Sequence, residues 1–147
     1  MSEQNKSLVR RFVDEIWNRK TTTKLEEFLS PQYSAQTPDG MIRGLKEYMQ
    51  FHNTYLTAFP DCRIAIDEML AEGNLVSCQV TFTGTHKGVL NGVPATGNKV
   101  REQCLLLIKV SGGKIFEEIS SWDRLSLYQQ LGVAPEVAKP SARKAGR

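Results

Sequence analysis

The feature that most constrains this chain is a change of apolar period at Pro60-Asp61. Before it, Leu8, Val9, Phe12, Val13, Ile16 and Trp17 form one stripe at helical spacing, and Leu45, Tyr48, Met49, His52, Tyr55, Leu56 and Phe59 form another. Steps of three and four place such residues on one face of a helix. After it the step becomes two. Cys62, Ile64 and Ile66 alternate with Arg63, Ala65 and Asp67, and Val76, Cys78, Val80 and Phe82 alternate with Ser77, Gln79, Thr81 and Thr83. That spacing gives a strand one apolar face. Helices that come first and strands that follow in a block show no βαβ alternation, so the expected fold class is α+β, with helices laid on one face of an antiparallel sheet.

Turn and cap residues divide the chain further. The first helix should end near Asn18, and Thr23 with Glu26 reads as a capping box for a short second helix carrying Leu25, Phe28 and Leu29 and stopping before Pro31. Tyr33 to Gly40 reads as an irregular or briefly extended link, and a third helix follows Gly44. Glu72-Gly73-Asn74 and Ser111-Gly112-Gly113 mark hairpins around a long strand from Lys99 to Val110, and the last strand runs from Lys114 to Trp122. Asp123 is an N-cap for a closing helix, with Gly132 as its stop. Three helices, four consecutive antiparallel strands and a final helix make one domain over residues 1–132, and 133–147 reads as a basic, disordered tail.

At 147 residues the chain can bury a full core without staples. Its net charge of +3 lies wholly in the tail, where Lys139, Arg143, Lys144 and Arg147 outweigh Glu136. Residues 1–132 are therefore balanced, and no nucleic-acid partner is expected from the fold itself. A partner bound through the tail stays the minor alternative. No apolar run approaches the ~20 residues of a membrane span, and Met-Ser-Glu-Gln-Asn-Lys lacks the apolar centre of a signal peptide, so no membrane partner and a cytoplasmic location are expected. Three cysteines at wide spacing read as reduced thiols, and His52 and His86 lack metal-ligand spacing. No metal is expected.

Chemistry must then come from polar residues in apolar places. His52 is the one strongly polar member of its stripe, which makes it either a candidate acid or base or a hydrogen-bonded core histidine. Glu117-Glu118 sends two carboxylates to opposite faces of the last strand. The one facing the helices would have its pKa raised and could take and return a proton near neutrality. Glu118, in phase with Phe116, Ser120 and Trp122, is favoured, and an exposed or ion-paired glutamate is the alternative. Tyr33, Gln36, Tyr55, Leu106, Ser120 and Trp122 are the candidate substrate-binding residues. The glycine-rich loop from Lys87 to Asn98 precedes a strand, not a helix, so it reads as a pocket rim and not as a phosphate cradle.

Asn5 to Asn18 (NKSLVRRFVDEIWN), Gly84 to Val100 (GTHKGVLNGVPATGNKV), Gly113-Lys114-Ile115, and Trp122-Asp123 through Gln129-Gln130-Leu131-Gly132 together resemble the SnoaL-like polyketide cyclases of the nuclear-transport-factor-2-like superfamily. The resemblance implies a cone-shaped α+β barrel that takes a hydrophobic ligand without a metal or cofactor, usually as a homodimer packed through the outer sheet face. In the characterised cyclases an aspartate on the last strand is the general acid/base of an intramolecular aldol closure, and its position falls on Ser120 here. A neutral serine cannot make that transfer unaided. Two functions stay open. One is a cofactor-independent cyclase or isomerase with Glu118 as base and His52 as second proton donor or orienting group, and the other is a small-molecule-binding protein that has lost the family's aspartate.

Overall fold

A computed structural model describes residues 2–135; the stretch 136–147, most of the expected tail, lies outside the described residues. Helix α1 (Ser2–Phe12) continues into a π-helical segment (Val13–Asn18), and the two bury the whole first stripe from Leu8 to Trp17. The carbonyls at the end of this segment are taken up by side chains. His52 Nε2 donates to Ile16 O at 2.8 Å, and Lys20 Nζ lies 3.4 Å from Trp17 O, 3.3 Å from Asn18 O and 3.0 Å from Cys62 O. The helix end therefore needs no glycine stop.

The capping box does not form. A single 3₁₀ turn (Thr22–Lys24) starts before Thr23 and absorbs it, and α2 (Leu25–Phe28) follows with no side-chain cap, held by burial of Leu25 and Phe28. Leu29, expected in that helix, opens a strand instead.

The segment expected to be irregular or briefly extended forms two further strands. β1 (Leu29–Thr37) and β2 (Gly40–Arg43) make a hairpin around Pro38-Asp39, ahead of helix α3 (Gly44–Ala58). β3 (Arg63–Glu72), β4 (Leu75–Thr85), β5 (Lys99–Ser111) and β6 (Lys114–Trp122) follow as the expected antiparallel run, and α4 (Arg124–Gln130) closes the chain. The sheet order is β2-β1-β6-β5-β4-β3, with β1 lying parallel to β6. Pro31, which cannot donate to a ladder, falls in the register break between Leu29 and Ser34. Among the described residues the sheet thus has six strands instead of four, and one pair is parallel. Its edges, β2 and β3, do not pair with each other, so the expected barrel is an open sheet covered by helices on one face.

The loop after β4 ties the helix layer down. Lys87 N and Gly88 N donate to Ala58 O at 2.9 and 3.2 Å, closing the C-terminus of α3. A Cβ on Gly88 would sit 2.2 Å from Thr57 O, which leaves glycine as the fitting residue. Among the described residues, no helix is long and apolar enough to cross a membrane.

Candidate active site

The site is set by the register of the last hairpin. Ser111 pairs with Lys114 across Gly112-Gly113, whose φ values of 58° and 75° suit a two-residue turn. The next pairs are Val110 with Ile115 and Lys109 with Glu117, leaving Phe116 as the extra residue of a β-bulge. Simple alternation from the buried Ile115 would have sent Glu117 inward. The bulge shifts the phase by one, so Glu118, Ser120 and Trp122 face the helices, and Glu117 turns out to an ion pair with Lys109 at 3.2 Å. Phe116, expected in phase with Glu118, stands outside the hydrophobic core because it is the bulged residue.

These side chains line a cavity of about 90 Å³ between sheet and helices. Its walls are largely aromatic, with Trp17, Tyr48, Phe51 and Tyr55 from the helix layer facing Tyr33, Phe82 and Trp122 from the sheet. Glu118 is 8% exposed and is held by two hydroxyls: Tyr33 donates to Oε1 at 3.0 Å and Ser120 donates to Oε2 at 2.9 Å. Burial raises the Glu118 pKa above the ordinary carboxylate value, while the Ser120 and Tyr33 bonds pull it back. The Tyr33 hydroxyl is itself pushed far up, first by burial and then by the neighbouring Glu118 charge, so it stays a proton donor in hydrogen bonds.

Tyr48 stands beside this group, its ring 5.4 Å from that of Tyr33 and at right angles to it. Its oxygen accepts from Trp17 Nε1 at 2.9 Å, so the hydroxyl proton can be directed to a second acceptor. Burial raises the Tyr48 pKa first, the Glu118 charge adds to it, and the Trp17 N–H opposes both.

Of the expected site residues, the structure brings Tyr33, Tyr55, Leu106, Ser120 and Trp122 to one cavity with Glu118. His52 is not on its wall. Its Nε2 is engaged by Ile16 O and its ring packs edge-on against Trp17 at 4.6 Å, which puts an indole between the imidazole and the cavity. Burial lowers the His52 pKa, keeping the ring neutral as a helix cap. Gln36 is exposed on the outer sheet face, because Tyr33 and Ala35 point inward and the phase excludes it. The Lys87–Asn98 loop contributes no residue to the wall. Leu90 and Val93 close an Asn91-Gly92 turn, and Asn91 Nδ2 donates to Tyr128 OH at 3.0 Å, so the loop packs toward α4 instead.

Glu102 is the member that the sequence reading missed. It is 7% exposed, lines the cavity, and receives one bond, from Gln130 Nε2 at 3.3 Å. Burial and then the Asp123 charge raise its pKa to about 7. The signal was present in β5, where Val100, Glu102, Cys104, Leu106, Ile108 and Val110 share one phase with Glu102 as the single charged member. Cys104, also on the wall, has its thiol pushed up to about 12 by burial, which leaves it protonated and a poor nucleophile. Among the described residues, no three His, Cys, Asp or Glu side chains converge as metal ligands would.

Comparison with known proteins agrees with this architecture. Aklanonic acid methyl ester cyclase DnrD of Streptomyces peucetius is 30% identical over 129 residues, covering 85% of this chain and 88% of that one. The cyclase of the same description, DauD, from Streptomyces sp. (strain C5), is 31% identical over 130 residues, covering 85% and 80%. Among solved structures, a protein from Jannaschia sp. CCS1 assigned as a SnoaL-like polyketide cyclase shares the fold with a TM-score of 0.83 at 23% identity, covering 92% of this chain and 95% of its own. AclR from Streptomyces galilaeus, assigned as a hydroxylase, superposes with a TM-score of 0.84 at 25% identity, covering 99% and 92%. The family profile for SnoaL-like polyketide cyclases matches residues 7–131, and the chain belongs to that family.

Proposed function

We propose that this protein is a cyclase or isomerase that works by proton transfer, with Glu118 as its general acid/base in place of the aspartate whose position Ser120 occupies. The observation that carries this reading is a carboxyl in an apolar cavity with both oxygens held by hydroxyls, from Tyr33 and Ser120. An elevated pKa suits a group that must take a proton from carbon and return it near neutrality.

In the aldol sense, the Glu118 carboxylate removes a proton from the carbon next to a bound carbonyl, and the electron pair moves onto that carbonyl as an enolate. Tyr48 O–H, oriented by the Trp17 N–H on its oxygen, donates to the enolate oxygen. The enolate carbon then forms a bond to a second carbonyl carbon of the same molecule, and the resulting alkoxide takes the proton back from Glu118. Ser120 keeps a role as the hydroxyl that orients the carboxylate, while His52 holds the helix end behind Trp17.

The cyclases that resemble this chain suggest the first compound to try, aklanonic acid methyl ester. Purified protein incubated with it should form a cyclised isomer of equal mass, and Glu118→Gln should lower the rate by about 10²–10⁴-fold, the usual contribution of a positioned acid/base. A Glu118→Gln rate equal to wild type would reject Glu118 as the base. Binding without turnover in the wild-type protein would favour the second reading, a ligand-holding protein, which the serine at position 120 supports.

The same reading includes a homodimer. One row across the outer sheet face runs Met41, Gln36, Ile119, Leu107, Ser77, Leu70 in register. Met41, Ile119, Leu107 and Leu70 are exposed large apolar residues, and Leu105 stands in the neighbouring row. A largely apolar row of this kind fits a second copy of the same sheet, which would place Gln36 in the interface.

A further inference from the structure

The cavity has two polar ends, and the proposed proton transfer uses one of them. Glu118 pairs with Ile108 on β5, and Glu102 lies six residues further along the same strand, facing the same cavity. At ~3.3 Å per residue of fully extended strand, their backbones are at most roughly 20 Å apart along β5. Phe82, directly opposite Glu102 on β4, and Trp122, opposite Cys104 on β6, flank the Glu102 end.

Two buried polar groups at that end are incompletely satisfied. Among the described residues Trp122 Nε1 has no hydrogen-bond partner and it is out of contact with solvent, although an indole N–H normally finds a partner when buried. Among the described residues Glu102 has a single side-chain bond, to a neutral amide, which leaves most of its acceptor capacity open. The β5–β6 register makes the two residues diagonal neighbours on one face, within reach of a shared small group. One unfilled donor and one unfilled acceptor on diagonal neighbours match the chemistry of an alcohol, whose oxygen accepts one bond and whose proton donates another. Above pH 7, where Glu102 is ionised, a carbonyl would satisfy only the indole, and a carboxylate would meet Glu102 and Asp123 as like charges.

From this we infer a second ligand subsite, formed by Glu102 and Trp122, that binds a hydroxyl group carried at the far end of the ligand from its reacting carbonyl. The inference rests on the reading of the cavity as a ligand site, and it adds the functional group read at the second end. Gln130, which bonds Arg101 O, Arg101 N and Glu102, positions the carboxyl from α4.

The test compares para-hydroxymethylacetophenone with para-ethylacetophenone, two ketones of nearly equal shape that differ by one hydroxyl, by calorimetric titration of the full chain. The wild-type protein should bind the hydroxymethyl ketone about tenfold more tightly, as expected for one hydroxyl bonded to both a carboxylate and a buried donor. In Glu102→Leu and in Trp122→Phe the ratio of the two affinities should fall toward one. The ratio cancels any general loosening of the cavity, and Trp122→Phe retains an aromatic ring should the first variant fold poorly. Equal affinities in wild type, with both ketones bound, would overturn the subsite and leave the cavity reading standing. A preference that persists in both variants would overturn the assignment to these residues, and failure of both ketones to bind wild type would overturn the cavity reading and the subsite together.

Discussion

Replacing Glu102 by glutamine should stabilise the protein, and only above acid pH. In the folded chain the carboxyl titrates at about 7 against an ordinary value of 4.5, a rise of about two and a half units caused first by burial and then by Asp123. At ~1.36 kcal/mol per unit this is a ceiling of about 3 kcal/mol, and side-chain relaxation toward water brings the expected effect to about 1.5–3 kcal/mol. Between pH 4.5 and 7 the folded state holds more of this proton than the unfolded state does. The unfolding free energy of the wild type therefore falls as pH rises through that window, and the loss is complete above it. Glutamine removes the titration and still offers a carbonyl oxygen to Gln130 Nε2. Urea unfolding of wild type and Glu102→Gln at several pH values should give curves that meet near pH 4.5 and separate by about 1.5–3 kcal/mol at pH 8, with the variant the more stable. Glu118 contributes a slope of the same sign in both proteins and cancels in the difference. A difference that does not change with pH, or a variant less stable at pH 8, would refute the argument that burial of Glu102 is the cause.

Four other outcomes follow from particular contacts. His52→Ala should cost about 2–4 kcal/mol in urea unfolding, because it removes a buried ring and strands the Ile16 carbonyl. The lowered His52 pKa means that its share of wild-type stability is lost as pH falls below its ordinary 6.5, a slope that the alanine variant should lack. Gly88→Ala should destabilise by about 2 kcal/mol or more, read as a fall in Tm, since its Cβ meets the Thr57 carbonyl. Ile119→Lys should shift sedimentation toward the monomer if the outer face carries the dimer, and an unchanged profile would reject that face. Tyr33→Phe removes one donor to the Glu118 carboxylate, so the pH at which activity reaches half its maximum should move up.

The helical stripes, the β3–β6 run and six of the eight expected site residues were legible because burial on one face leaves a periodic trace in the chain. Where that trace was interrupted, local pattern misled. β1 carries Pro31, Gln32 and Gln36 and pairs in parallel with a strand far along the chain, so no turn residue announced its partner. His52 lies on the inner stripe of α3 as read, but only the π-helical end of the first helical stretch reveals the carbonyl it serves. Glu118 points inward as expected, yet for a different reason: the turn has two residues, and the bulge at Phe116 restores the phase that such a turn alone would have reversed. Bulges and π turns depend on tertiary packing, and single-residue spacing does not record them.

Solvent deuterium exchange into the carbon next to the carbonyl of aklanonic acid methyl ester, followed by mass spectrometry with wild type and Glu118→Gln, reads the proton transfer itself. Exchange should occur with the wild-type protein and fall by at least about 10²-fold in the variant, while the ligand still binds. Equal exchange in the two proteins would contradict the assignment of proton transfer to Glu118.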